Sequence, residues 1–202
     1  MRLLIALALG VLAALGTTSH AHAAPHDPGT HFLAEVDGGV LLTGDGGPAL
    51  RAALGAGFKL HRTPLRLYLI GQFGVSSYVA EPSPVVAASG RTEQGAFEDF
   101  GLGPRLLLPV YGPVRVYAEC VVGTSLASAR QVAADRPDLY ARQWLGLVQL
   151  SSGLQWRVLY PLSLGIRFSA AWNADGLAGA ARYAGVRDDL RLSLTAGGTW
   201  HF

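Results

Sequence analysis

The sequence predicts an all-β protein: an eight-stranded antiparallel up-and-down β-barrel whose strands cross a membrane. Three observations carry this. First, half of the 202 residues are hydrophobic and the mean hydropathy is +0.30. Yet beyond Gly16 no uninterrupted apolar run reaches the roughly 18 residues that a membrane-spanning helix needs. Second, apolar and polar residues alternate with a period of two through eight successive segments, the pattern of strands with one apolar face. Third, tight turns and long connections largely take turns along the chain. Inside lipid every backbone N–H and C=O must be paired within the protein, and a closed barrel is the sheet that achieves it.

The first residues are a leader. Arg2 precedes an apolar core from Leu3 to Leu15, followed by Thr17-Thr18-Ser19 and Ala21-His22-Ala23. This is the plan of a secretory signal peptide, too short for a spanning helix, with cleavage expected before Ala24. Residues 1–23 are therefore read as a signal peptide and 24–202 as one barrel domain. No Cys follows the apolar core, which argues against a lipid anchor. Cys120 is the only cysteine, so an internal disulfide is excluded. The formal net charge of +2 falls to +1 without Arg2 (2 − 1), which is no footprint for nucleic acid.

The predicted strands follow in order. The first, His31 to Thr43, sets Phe32, Ala34, Val36, Val40 and Leu42 against Glu35 and Asp37, with Leu33 and Leu41 breaking the alternation. After the tight turn Gly44-Asp45-Gly46-Gly47, the second strand, Pro48 to Leu60, sets Leu50, Ala52, Leu54, Ala56 and Phe58 against Arg51, Ala53, Gly55, Gly57 and Lys59. His61 to Pro64 turns the chain. The third strand, Leu65 to Val79, opposes Leu67, Leu69, Phe73 and Val75 to Arg66, Tyr68, Gln72 and Ser76, with Ile70 out of pattern. The Pro-containing stretch 81–95 reads as a long loop. The fourth strand, Ala96 to Leu108, opposes Phe100, Leu102, Leu106 and Leu108 to Asp99, Gly101, Gly103 and Arg105, and Pro109 to Pro113 reads as a turn.

The fifth strand, Val114 to Leu126, opposes Val114, Val116, Ala118, Cys120 and Val122 to Arg115, Tyr117, Glu119 and Ser125. Residues 127–142 read as a second long loop. The sixth strand, Gln143 to Val158, opposes Trp144, Val148, Leu150, Leu154 and Trp156 to Gln149, Ser151, Gln155 and Arg157. The seventh, Leu162 to Ala174, opposes Leu164, Ile166, Phe168, Ala170 and Trp172 to Ser163, Arg167, Ser169 and Asn173. A third long loop, 175–187, leads to the eighth strand, Asp189 to Phe202, whose even positions are apolar or small. An even strand count puts both ends on one side, and short turns there with long loops opposite are the membrane-barrel arrangement. The first connection departs from it, being short where a long one is due.

Charge decides which face meets lipid. The polar faces carry Glu35, Asp37, Arg51, Lys59, Arg66, Asp99, Arg105, Arg115, Glu119, Arg157, Arg167, Asp189 and Arg191. An Arg or Lys facing mid-bilayer lipid costs about 2–4 kcal/mol, so this set would exceed a whole domain's stability. These residues are therefore assigned to a lumen charge network, with Arg105 and Glu119 at the right parity across a short turn to be neighbours. Eight strands enclose barely enough space for their own side chains, so the lumen is expected to be filled. Trp144 and Trp156 share the apolar face twelve positions apart, roughly 30 Å along the membrane normal, about the spacing of two aromatic girdles. Trp172 joins the outer girdle, and Phe58, Trp200 and Phe202 the inner one.

Leader, eight alternating strands, long loops and a terminal Trp200-His201-Phe202 together resemble the small outer-membrane β-barrels of Gram-negative bacteria, of the outer membrane protein A/X/W type. The likeness covers the mature chain and rests on architecture rather than an internal motif. It implies residence in the outer membrane, contact with outer-membrane lipid and lipopolysaccharide, and a monomer. It also implies that Trp200 and Phe202 form the C-terminal signal read by the barrel assembly machinery.

Some barrels of that type modify lipid A, and the deacylase kind carries His-x-Ser on a strand. No His-x-Ser occurs after the leader. A His201–Thr199–acid arrangement is weighed against polar lumen filler, and filler is the preferred reading. Gly55 to Lys59 lacks the spacing and following helix of a phosphate loop. His26 and His31 lack companion ligands for a metal, and no cofactor is expected. Cys120 falls on the lipid face as a small hydrophobe. Binding function is therefore expected in the loops 81–95, 127–142 and 175–187, where Arg91, Arg130, Arg136, Arg142, Arg182 and Arg187 suit lipopolysaccharide phosphates or simply form solvated surface. The main functional expectation is a non-enzymatic barrel with a structural or surface-interaction role. The alternatives are a small pore or conduit for hydrophobic molecules, a lipid A-modifying enzyme, and a soluble lipocalin-like barrel.

Overall fold

A computed structural model of the chain describes residues 31–43, 46–61, 63–80, 92–132, 139–174 and 190–202. Eight strands follow one another: β1 (His31–Leu41), β2 (Pro48–Lys59), β3 (Arg66–Ala80), β4 (Thr92–Tyr111), β5 (Val114–Val132), β6 (Leu139–Arg157), β7 (Leu162–Ala174) and β8 (Leu190–His201). Each pairs antiparallel with its sequence neighbour, and β1 pairs with β8 to close the barrel. The seam extends past β8, where Phe32 and Phe202 exchange backbone hydrogen bonds at 3.2 and 2.9 Å. Closure removes the free sheet edges that would otherwise bring unpaired N–H and C=O groups into contact with lipid.

The two faces separate as alternation requires. Phe32, Val36, Leu50, Leu54, Leu69, Leu102, Val122, Leu150, Ile166 and Leu194 are exposed on the outside, while Glu35, Arg51, Gln72, Arg105, Glu119, Gln149 and Arg167 are buried within. An outer wall of this kind would be costly in water at about 25 cal/mol per Å² of apolar surface. It suits a hydrocarbon surround.

Strand length is uneven. β1, β2, β7 and β8 have 11, 12, 13 and 12 residues. At about 3.3 Å per residue and a tilt near 40°, each covers roughly 30 Å, the thickness of a hydrocarbon core. β4, β5 and β6 have 20, 19 and 19 residues and run about 20 Å further by the same geometry. This corrects two of the expected loops. Residues 92–95 belong to β4, and 127–132 and 139–142 belong to β5 and β6, paired from Thr92↔Val132 and Gln131↔Leu139 onward. Above the apolar band both strand faces are free to be polar, so alternation fades while backbone pairing continues. Arg130 and Arg142 therefore lie on strands, and Arg91, Arg136, Arg182 and Arg187 lie outside the described residues, as does the expected loop 175–187.

At the opposite end the connections are short. The β4–β5 turn is only Gly112-Pro113, with Gly112 at φ 51°. The turn expected at 109–113 is shorter because β4 continues through a register shift between Pro109 and Tyr111. Between β2 and β3, the Leu60 N–H donates to Leu65 O at 2.9 Å.

The interior is less polar than the sequence suggested. Leu33, Ala53, Tyr68, Ile70, Leu107 and Tyr117 form one buried cluster, and Leu41, Tyr78, Phe97 and Leu145 another. Inward glycines make room for the larger rings. Gly153 lies opposite Tyr117 and Gly95 opposite Tyr78, and a Cβ at either glycine would run into the tyrosine ring.

Candidate functional site

The most organised chemistry among the described residues is a charge network across the middle of the lumen. Closing the sheet brings together β1, β2, β4, β5 and β7, whose inward positions carry Glu35, Asp37, Arg51, Arg105, Glu119 and Arg167. Arg105 and Glu119 are register partners on adjacent strands, and Arg105 Nε donates to Glu119 Oε2 at 2.7 Å. Arg105 Nη1 reaches across to Glu35 Oε2 at 2.9 Å. Arg167 Nη1 donates to Glu119 Oε1 at 2.9 Å and its Nε to Asp37 Oδ2 at 3.1 Å. Arg51 donates to Asp37 Oδ2 and Glu119 Oε1, both at 3.1 Å. Arg51 and Arg167 also pair with Glu35.

Three guanidinium groups thus face three carboxylates. Uncharged side chains satisfy what is left. Thr199 Oγ1 donates to Glu35 Oε2 at 2.9 Å, and Gln155 Nε2 donates to Thr199 Oγ1 at 2.9 Å. Arg51 Nε donates to Gln72 Oε1, and Gln72 continues to Gln149 at 3.0 Å, then to Ser151 at 3.1 Å and Ser169 at 3.0 Å. The Tyr117 ring lies 4.5 Å from the Arg105 guanidinium and 5.1 Å from that of Arg167, a cation–π arrangement that closes the network toward the short turns. Charges taken from water are tolerated only when paired and hydrogen-bonded throughout, and this network meets that condition.

A second pair lies toward the long connections. Arg191 donates to Asp99 at 2.9 and 3.0 Å and to Asn173 Oδ1 at 3.1 Å; Ser125 donates to Asp99 at 2.6 Å. Arg191 stacks over the Phe97 ring at 3.9 Å. Between this pair and the central network is a cavity of about 50 Å³, lined by Arg51, Gln72, Ser76, Asp99, Arg167 and Arg191 among others. It has room for only a few water molecules.

The remaining residues assigned to the lumen divide by height. Arg115 is buried near the short-turn end, and Arg66 and Arg157 are half-buried there. Lys59, although of inward parity, is exposed at the rim because β2 ends with it. Asp189 lies outside the described residues. On the outer surface Phe58, Trp144, Trp156, Trp172 and Phe202 are exposed and Trp200 is half-exposed. Trp156, Trp200 and Phe58 stand near the short-turn end, opposite Val114, Leu162 and Leu67. Trp144 lies on the other half, with Phe100 at 6.3 Å between ring centroids, and Trp172 near the far end of β7.

Sequence reasoning set Gln72, Ser125, Gln149, Gln155 and Asn173 on the polar strand faces and weighed Thr199 beside His201, but it assigned only the charged residues to the network. Their signal was present, since an inward-parity amide or hydroxyl in a narrow barrel has only other lumen groups to bond. The His201–Thr199–acid arrangement is not assembled: Thr199 is bonded to Glu35 and Gln155, while both ring nitrogens of His201 are without partners. Among the described residues no group of three or more His, Cys, Asp or Glu is placed to hold a metal ion.

No family model matches the sequence, and no curated protein matches it. Solved structures do. The chain is similar to a major outer membrane protein from Thermus thermophilus at 15% identity and a TM-score of 0.62, covering 86% of this chain and 99% of that one. It is similar to the N-terminal β-barrel domain of Pseudomonas aeruginosa OprF at 11% identity and a TM-score of 0.50, covering 85% and 97%. The outer membrane enzyme PagL also matches, at 15% identity and a TM-score of 0.47 over 82% and 98%. At these identities the first two likenesses speak for the fold alone, and they agree with strand count, closure and the apolar outer wall: the chain has the fold of the small eight-stranded outer-membrane β-barrels.

Proposed function

We propose that the chain is a non-enzymatic integral protein of the bacterial outer membrane, whose interior is a structural plug and whose biological role is exerted at its surface. The observation that carries this reading is the balanced lumen network, three arginines on three carboxylates. It spans the cross-section of the barrel, and the cavity above it holds only about 50 Å³. Side chains so fully engaged with one another serve rigidity better than transport or turnover.

The surface role falls to the projecting β4–β5–β6 wall and to the residues that connect its strands. Tyr140 and Arg130 stand exposed there, with the guanidinium 5.6 Å from the ring centroid. Arg142, also exposed, adds a cation suited to lipopolysaccharide phosphate. The purified barrel in planar bilayers tests this: absence of stable conductance steps supports the plug, whereas regular steps favour a pore. Lipid A of unchanged mass on expression supports the non-enzymatic reading, and an altered mass overturns it.

A further inference from the structure

Among the described residues, the lumen's charges are paired except at its short-turn mouth. Glu35, Asp37 and Glu119 are committed to Arg51, Arg105 and Arg167, and Asp99 to Arg191. Arg66, Arg115 and Arg157 are left, with no carboxylate among the described residues bonded to them. The register sets them at one end of the barrel: Arg66 faces Leu107, Leu107 faces Tyr117 two residues after Arg115, and Tyr68 lies two residues beyond Arg66 on the same strand face; Arg157 and Arg66, both of its own sign, act on Arg115. The same three arginines dominate the field at His201.

The uncompensated charge is accompanied by polar groups without partners. Arg115 is 8% exposed, yet its Nη1 has no partner; Arg157 Nε, the Tyr68 hydroxyl, the Ser163 hydroxyl and both His201 ring nitrogens have none either. The register gathers them, because Arg157 faces Ser163, Ser163 faces Thr199 two residues before His201, and Arg115 faces Gln155 two residues before Arg157. A buried guanidinium among like charges demands an acceptor of opposite sign. The fork geometry of arginine matches the oxygens of a phosphate.

We propose that the short-turn mouth of the lumen is an anion-binding site in which Arg66, Arg115 and Arg157, with Tyr68 and His201 as further donors, receive a phosphate group. It is carried by free inorganic phosphate or by the headgroup of an anionic phospholipid at the rim. The site is independent of whether the outer surface acts structurally or enzymatically.

The folded chain in zwitterionic detergent tests this. Inorganic phosphate should raise the thermal midpoint above that in chloride of equal ionic strength and bind saturably by calorimetry. Arg115→Gln and Arg157→Gln should each weaken that binding by about tenfold or more. If the source is lipid, phosphatidylglycerol should instead be retained by the wild type in native mass spectra and lost from both variants, with free phosphate giving no calorimetric signal. Should Arg115→Gln fail to fold, the half-buried Arg157 at the end of its strand carries the comparison. Equal responses to phosphate and chloride, together with no retained anionic lipid, would overturn the proposal, as would binding that both variants preserve.

Discussion

Arg105 on β4 and Glu119 on β5 face each other in register across a two-residue turn, joined at 2.7 Å from Nε to Oε2, and both are closed off from solvent. Their bonding extends beyond the pair, since Arg105 also holds Glu35 on β1, and Glu119 also holds Arg51 on β2 and Arg167 on β7. Removing one partner leaves the others as buried charge. Glu119→Gln should therefore destabilise the barrel by about 3–5 kcal/mol, read from urea unfolding in lipid vesicles. Arg105→Met combined with Glu119→Met should cost less than the sum of the two single changes. Additive losses would mean that the two side chains do not act as a pair.

The inward glycines test how tightly the lumen is filled. Gly153→Val places branched carbons where the Tyr117 ring lies, and overpacking of this kind costs about 1–3 kcal/mol. Tyr117→Leu in the same chain should restore part of the loss. A neutral Gly153→Val would indicate an open lumen.

The outer face answers to the solvent around it. Leu54 is 63% exposed and lies mid-strand, between Ala34 and Gly71. In a bilayer Leu54→Arg should cost about 2–4 kcal/mol, measured by reversible unfolding in vesicles. In a water-soluble barrel the same change would be close to neutral.

Phe202 closes the β1–β8 seam through its backbone, and its side chain is exposed. Phe202→Ser keeps the backbone bonds and removes the ring. If that ring is part of the assembly signal, the variant should refold normally in detergent yet accumulate poorly in the outer membrane. Wild-type membrane levels would refute the assignment.

Much of this was legible in the chain, and what was not has physical reasons. The Arg105–Glu119 pair could be read because a short turn sets register locally. The Arg191–Asp99 pair could not, since it joins β8 to β4 and exists only through closure. Leu33, Leu41 and Ile70 looked like faults in the alternation; they are the apolar filling of the lumen, 3%, 5% and 0% exposed. The upper reaches of β4 to β6 passed for loops because binary patterning reports a boundary between lipid and lumen. Above the bilayer that boundary no longer exists, although the hydrogen-bond ladder continues.

The central claim, a lipid-embedded barrel closed by its own side chains, meets its most direct test in cell fractionation joined to gel mobility. The protein should be recovered from the outer-membrane fraction only with detergent, and should shift its mobility on a gel when boiled. Recovery as a freely soluble periplasmic protein with one mobility before and after boiling would contradict the account.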